Sequence, residues 1–228
     1  MIGAILSGVV PLKYTGATVN LVVDGNSLVA GNVLPDPSTQ SVPAQLKQMA
    51  PLSGLVTVTN SGVGGQSIAN MRTRRQTGVD ANYVAGKKNI LLAWEGTNSI
   101  CNTTMTGAAA GDAMAGYCAD VLSVHPDWVI IPVTTLPRFD VSAGTWTVAQ
   151  ANAELLAYDA YLKANFRAMG CRALVGLRAA GLFTSPAGAT SMPSAMQPYM
   201  ADQIHYNAAG GAIIAGYIAA VLKRLPAR

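Results

Sequence analysis

The stretch VVDGNSLVAG, residues 22–31, predicts a buried strand that ends abruptly and a helix that begins at once. The apolar run stops at Asp24, small polar residues fill 25–27, and the apolar pattern resumes at Leu28. A plain strand-to-helix turn explains this pattern, and so does a tight turn that presents its last residue, Ser27, as a nucleophile. The surrounding sequence has to separate these two interpretations.

Similar apolar runs recur along the chain, each closed by turn residues. Their continuous Val, Ile and Leu content predicts strands covered on both faces, as in a parallel sheet. Helix-like stretches alternate with them, and Ser38, Ser67 and Asn207 are the expected N-caps. The predicted strands are 19–25, 55–62, 88–96, 127–137 and 171–178, and the predicted helices are 38–50, 67–76, 107–124, 148–169 and 207–223. This alternation predicts an α/β fold with a doubly wound parallel sheet.

Composition and charge exclude several classes of protein. Half of the 228 residues are hydrophobic and only 11% are charged, which is atypical of a disordered chain. The net charge is +4, and its densest cluster, Arg72, Arg74 and Arg75, is too short for a nucleic-acid-binding arm. We expect a solvated helix face there and no nucleic-acid partner.

The chain reads as one domain over residues 19–228, preceded by a segment, 1–18, that is either a leader or a further strand. No apolar stretch is long enough to span a membrane, and no basic residue precedes the apolar start MIGAILSGVV as it would in a signal peptide. We expect a soluble protein, cytoplasmic and virion-associated locations both being open, with its oligomeric state undetermined.

The cysteines Cys101, Cys118 and Cys171 form no metal-ligand or redox motif, so we expect no metal and no cofactor. An odd and sparse cysteine count argues against a disulfide framework, although a Cys101–Cys118 bond stays conceivable.

The segment 178–201 is long and rich in Gly, Pro, Ser and Ala, which is typical of a functional or flexible loop. Its methionines Met192, Met196 and Met200 are expected to fill the core rather than to form an acyl-binding wall. The tryptophans are also expected to serve packing, with Trp146 the best candidate for contact with substrate.

Polar and glycine-rich segments follow the predicted strands. Ligand sites in open parallel sheets lie beyond the carboxyl ends of the strands, so these segments are predicted to share one edge. They are DGNS (24–27), NSGVGG (60–65), EGTNS (95–99) and TTLPR (134–138), together with DQIHYN (202–207) before the last helix.

Only two histidines occur in the chain. His125 precedes the fourth predicted strand and is expected at the opposite edge, as a surface residue. His205 lies at the polar edge with Asp202 three residues before it. A serine hydroxyl needs a base to remove its proton, and that base needs a third group to fix its tautomer. Ser27, His205 and Asp202 supply a nucleophile, a base and an orienting carboxylate.

Acyl transfer also needs hydrogen-bond donors for an oxyanion. Gly65 lets a backbone N–H approach substrate without a side chain in the way, and Asn98 and the Ser27 amide offer two more donors. A phosphate cradle is the competing interpretation of GVGGQS (62–67), but the segment lacks the dinucleotide-binding glycine order and the Walker lysine.

Together these residues resemble the conserved blocks of the SGNH hydrolase superfamily, the GDSL-type esterases and lipases. The matching blocks are Gly25-Asn26-Ser27-Leu28, Asn60 with Gly65, Gly96-Thr97-Asn98, and Asp202 with His205. The resemblance implies a three-layer αβα sandwich with a flavodoxin-like, five-stranded parallel sheet in the order 2-1-3-4-5. It also implies that Ser27, His205 and Asp202 form a catalytic triad, and that Ser27, Gly65 and Asn98 form the oxyanion hole.

The chain departs from the family pattern at three positions. Asn26 replaces the usual acid before the nucleophile, Ser99 replaces an Asp that often follows the Asn, and Tyr206 replaces a common proline after the histidine. None of these changes removes a catalytic group. Asp24 and Glu95 also lie at strand ends, where structural hydrogen bonds are expected of them.

The resemblance implies a metal-independent serine esterase acting on small acyl esters, such as O-acetyl groups on a carbohydrate. A non-catalytic carbohydrate-binding or structural module, on a virion or cell surface, is the alternative from another class, because fold alone does not establish activity. A nucleotide-binding flavodoxin-like protein is a third possibility, and it lacks a convincing phosphate loop.

Overall fold

The computed structural model describes residues 19–49, 56–141, 144–185 and 188–225. Within these ranges, parallel strands form one four-stranded sheet in the order β2-β1-β3-β4. The strands are β1 (Val19–Gly25), β2 (Val56–Asn60), β3 (Lys88–Trp94) and β4 (Val129–Pro132). This confirms the predicted α/β class and the predicted order of the first four strands. The 1–18 segment lies outside the described residues.

The prediction of a fifth strand at 171–178 is wrong, since this segment makes only one parallel bridge, at Val175. Its bonds to β4 start at the N–H groups of Arg172 and Val175, three residues apart, but end on carbonyls two residues apart, those of Ile130 and Pro132. One extra residue on the edge segment therefore breaks the ladder, as in a β-bulge.

The described α-helices up to residue 101 are short, and those from residue 107 onward are long. They are α1 (Ser27–Ala30), α2 (Pro37–Gln40), α3 (Val42–Gln48), α4 (Ile68–Thr73), α5 (Arg75–Gly78), α6 (Thr97–Cys101), α7 (Gly107–Val124), α8 (Val148–Asn165) and α9 (Ala208–Leu222). Ser67 caps α4 and Asn207 caps α9, as predicted. Arg74 interrupts the helix predicted over 67–76.

The helix predicted over 38–50 is wrong as a single element, and Ser38 is not its cap. Asp36 caps α2 by accepting from the Ser38 N–H (3.1 Å), and Ser41 then caps α3. Pro43 has no N–H to continue the first helix but suits the first turn of a new one. The chain therefore restarts its helix at Val42.

Helices cover both faces of the sheet and bury one apolar cluster on each. Alternate residues of β1 point to opposite faces, so Leu21 and Val23 join one cluster and Val22 joins the other. The first cluster lies under α3 and α9, whereas the second lies under α4, α7 and α8. Met192, Met196 and Met200 belong to the first cluster, which confirms the prediction that they fill the core.

The three cysteines are free and buried. The conceivable Cys101–Cys118 disulfide is not formed, because Cys118 Sγ lies 3.7 Å from Cys171 Sγ instead. Trp94 and Trp128 are buried in the core, and Trp146 packs at the margin of the second cluster. In the described part of the chain, no helix has the length and apolar character needed to cross a membrane.

Candidate active site

Ser27 stands at the first position of α1, directly after the central strand β1. Asn26 caps this helix, since its Oδ1 accepts the N–H of Leu28 (2.8 Å). Asn26 thus makes the turn's hydrogen bond without a charge beside the serine. A side chain at Gly25 would place its Cβ 2.2 Å from the Trp94 carbonyl oxygen, so only glycine fits where the strand enters this turn.

The structure brings Ser27, His205 and Asp202 into one hydrogen-bonded chain. The Ser27 hydroxyl lies 2.9 Å from His205 Nε2, and His205 Nδ1 lies 2.8 Å from Asp202 Oδ2. The Asp202 carboxylate also accepts the backbone N–H groups of Ile204 (2.7 Å) and His205 (2.6 Å). These bonds fix the loop before α9 so that the imidazole points at the serine.

The hydrogen bonds to Asp202 determine its charge. Partial burial pushes the pKa of Asp202 upward, but the bonds from the His205 backbone and ring and from the Ile204 N–H outweigh it, so the pKa lies below its ordinary value. An ionised Asp202 favours the histidine tautomer with its proton on Nδ1. The Nε2 lone pair of His205 is then available to accept the proton of Ser27.

Tyr206, which replaces the common proline, connects the histidine loop to the serine helix. Its hydroxyl donates to the Leu28 carbonyl and accepts the Val42 N–H (3.3 Å). Its ring stacks on Trp94 with centroids 6.2 Å apart. Because Tyr206 follows His205 and Leu28 follows Ser27, these bonds hold the His205 imidazole and the Ser27 hydroxyl at a constant separation.

Three N–H donors follow strands β1, β2 and β3, at the same edge of the sheet. Gly65 has a φ of 76°, a backbone region that favours glycine, and no atom lies within 4 Å of the Cβ position there. Among the described residues, the N–H groups of Ser27 and Gly65 have no hydrogen-bond partner. Asn98 Nδ2 donates one hydrogen to the Gln66 carbonyl (3.0 Å) and keeps a second available.

Gln66, which the sequence did not single out, connects these donors to one another. The side-chain Nε2 of Gln66 donates to the Gly25 carbonyl, and the backbone carbonyl of Gln66 accepts from Asn98 Nδ2. Asn60, the first residue of the second block, donates to the Val29 carbonyl (3.0 Å) and so fastens the loop after β2 to α1. The loops after β1, β2 and β3 are therefore fixed against one another.

Arg74 contradicts the prediction of a solvated basic face. Its guanidinium donates to Asp24, to the Ser61 carbonyl and to Gln66 Oε1. Arg75 is also mostly buried and pairs with Asp80 (2.8 Å). The available signal was Asp24 itself, because a charge at the end of a buried strand needs a partner.

Asp24 and Glu95 make structural hydrogen bonds, as predicted. Burial raises the pKa of Asp24, against hydrogen bonds from Tyr117 and the charge of Arg74. Glu95 accepts the N–H groups of Asn98 (3.3 Å) and Ser99 (3.0 Å) at the start of α6. Complete burial raises the pKa of Glu95 to about 8, although these bonds oppose the shift.

Ser99 and His125 have structural contacts. The Ser99 hydroxyl donates to Glu95 (3.1 Å) and accepts the Ile68 N–H (2.9 Å), which joins α6 to α4. His125 ends α7 and stacks on Tyr83, far along the chain from the site, at the edge where strands begin. Among the described residues, no group of three or more His, Cys, Asp or Glu side chains could hold a metal ion.

Comparison with known proteins gives matches at the level of structure. No family model and no curated protein matches the chain. The lipase/acylhydrolase from Enterococcus faecalis superposes with a TM-score of 0.67 at 16% identity, covering 90% of this chain and 96% of that one. A lipolytic protein of the G-D-S-L family from Desulfitobacterium hafniense gives 0.64 at 14% identity, covering 89% and 98%.

A third similar structure is one of a two-domain esterase active on acetylated mannans. Its TM-score is 0.60 at 15% identity, and the match covers 92% of this chain but 50% of that one. These likenesses confirm that the chain has the fold of the SGNH hydrolases. Fold alone does not determine chemistry, which depends on the residues of the site.

Proposed function

We propose that this protein is a serine esterase with Ser27 as nucleophile, His205 as base and Asp202 as the orienting carboxylate. The observation that carries the proposal is the hydrogen-bonded chain from the Ser27 hydroxyl to His205 Nε2 (2.9 Å) and from Nδ1 to Asp202 (2.8 Å). Each group has the role that activation of a serine hydroxyl demands.

The reaction follows from this geometry. Ser27 Oγ attacks the ester carbonyl while His205 Nε2 takes its proton, and the carbonyl oxygen becomes negatively charged. The N–H groups of Ser27, Gly65 and Asn98 stabilise that charge. His205 then gives its proton to the leaving alcohol, which leaves an acyl group on Ser27. A water molecule that loses a proton to His205 releases the acid and restores the serine.

The substrate is a small acyl ester, and an O-acetyl group on a carbohydrate is the best candidate. The methionines of the loop before α9 pack into the core, so the described residues offer no methionine wall for a long acyl chain. The side chain of Asp202 is 44% exposed. This exposure supports a substrate with a bulky alcohol, such as a sugar. The fold is also that of an esterase active on acetylated mannans.

Hydrolysis of p-nitrophenyl acetate, butyrate and octanoate tests the proposal, together with acetate release from an acetylated mannan. The wild-type protein should prefer acetate, and Ser27→Ala should reduce kcat to background. Ser123→Ala, at an exposed serine of α7, is the matched control and should keep full activity. Equal background rates for wild type and Ser27→Ala on all four substrates would contradict the esterase and favour a carbohydrate-binding module.

A further inference from the structure

We propose that Arg138 is a positioning residue that holds the Asn98 amide with its N–H, rather than its oxygen, facing the oxyanion. This inference rests on the proposed esterase function. Arg138 lies beyond the end of β4 and is only 5% exposed. Its Nη1 donates to Asn98 Oδ1 (3.3 Å).

The orientation of the Asn98 amide matters because its two ends are nearly equal in shape and opposite in chemistry. Nδ2 towards the substrate donates to an oxyanion, whereas Oδ1 in that place repels it. Two contacts determine which end is which. The Gln66 carbonyl can only accept, so it selects Nδ2 (3.0 Å), and the Arg138 guanidinium can only donate, so it selects Oδ1.

The third contact of the amide does not discriminate in this way. Asn102 Nδ2 donates to Asn98 Oδ1 (3.2 Å), but an Asn102 with its own amide reversed would accept from Nδ2 equally well. Arg138 is thus the side chain that disfavours a reversed Asn98 amide, because reversal would place Nδ2, a donor, against the guanidinium, which can only donate. Its positive charge also draws electron density towards Oδ1, which makes the remaining N–H of Asn98 a stronger donor.

Arg138 is itself held rigidly, as a positioning role requires. Its backbone N–H donates to Asn152 Oδ1 (3.0 Å), and Asn152 Nδ2 donates back to its carbonyl (2.7 Å). Asn152 is buried on α8. The Arg138 Nε donates to the Asp140 carbonyl, so the side chain is anchored at both ends.

Arg138→Met and Arg138→Lys test the inference on the acetate ester. Arg138→Met keeps the length of the side chain and removes its charge and its hydrogen-bond donors. Loss of one oxyanion donor lowers kcat by about 10²–10³, so kcat should fall by about 10- to 100-fold while KM stays within about twofold. Arg138→Lys restores a charged donor and should recover part of kcat. Arg75→Met is the matched control, because Arg75 is buried in an ion pair away from the site, and it should lower thermal stability without lowering kcat.

A double-mutant cycle separates orientation of Asn98 from general damage to the fold. In an Asn98→Ala background, Arg138→Met should lower kcat by less than about twofold more, because there is no amide left to orient. The same full loss in both backgrounds, or wild-type kcat in Arg138→Met, would overturn the inference while leaving the esterase intact. A wild-type protein without Ser27-dependent hydrolysis would instead overturn the proposed function.

Discussion

Removing one buried hydroxyl, in Tyr206→Phe, should destabilise the protein and slow catalysis together. The hydroxyl is the partner of two backbone groups, the Leu28 carbonyl and the Val42 N–H. Each buried polar group that loses its partner costs about 1–3 kcal/mol, so the free energy of unfolding should fall by about 2–6 kcal/mol. The phenylalanine ring keeps the stacking on Trp94, so packing should change little.

Urea unfolding followed by tryptophan fluorescence measures this loss, and kcat on the acetate ester is measured well below the unfolding transition. We expect kcat to fall by more than the loss of folded protein explains, because the bond to Leu28 sets the distance between His205 and Ser27. Tyr217→Phe is the matched control, as the Tyr217 hydroxyl has no hydrogen-bond partner among the described residues. A Tyr206→Phe variant whose free energy of unfolding lies within about 0.5 kcal/mol of the wild-type value, close to the error of such measurements, would refute the reasoning.

Three further substitutions have defined outcomes. Arg74→Met leaves the Asp24 carboxylate buried without its cation, so the free energy of unfolding in urea should fall by about 3–5 kcal/mol. Arg72→Met is the control and should not show this loss, because Arg72 pairs with Asp120 at the exposed surface. Burial raises the pKa of Glu95 from 4.5 to about 8, so between these pH values the folded chain binds more protons than the unfolded chain. The free energy of unfolding should therefore fall as pH rises from 5 to about 8. Glu95→Gln should flatten this pH dependence in unfolding curves. Asp202→Asn should lower kcat by about 10³–10⁴ with an unchanged melting temperature, and an activity near wild type would remove Asp202 from the mechanism.

The candidate site could be predicted from sequence because each of its residues follows a strand or precedes a helix. Parallel strands bring their carboxyl ends to one edge, so local signals at Ser27, Gly65 and Asn98 were enough to place them near one another. The Asp202–His205 pair is local as well. Its approach to Ser27, across most of the chain, was predicted from its position at the polar edge before the last helix, and the resemblance implied the same approach.

The supporting contacts could not be predicted, because they join side chains that are far apart in sequence. Gln66 and Arg138 act through hydrogen bonds whose partners no periodicity reveals. For Arg74, the sequence signalled only that the buried Asp24 needs a partner and did not identify that partner. The fifth strand failed for a related reason, since one extra residue in 171–178 breaks a ladder that its composition favours. The break before α3 was readable in principle, because Pro43 cannot lie in the interior of a helix.

Labelling with a fluorophosphonate tests the central claim, that His205 activates Ser27 as a nucleophile, most directly. Intact-mass and peptide analysis should find one adduct, on Ser27, in the wild-type protein. Ser27→Ala should take up no label, and His205→Ala should react at least about 10²-fold more slowly, because the serine then lacks its base. An adduct on another residue, or labelling that persists in Ser27→Ala, would contradict the account.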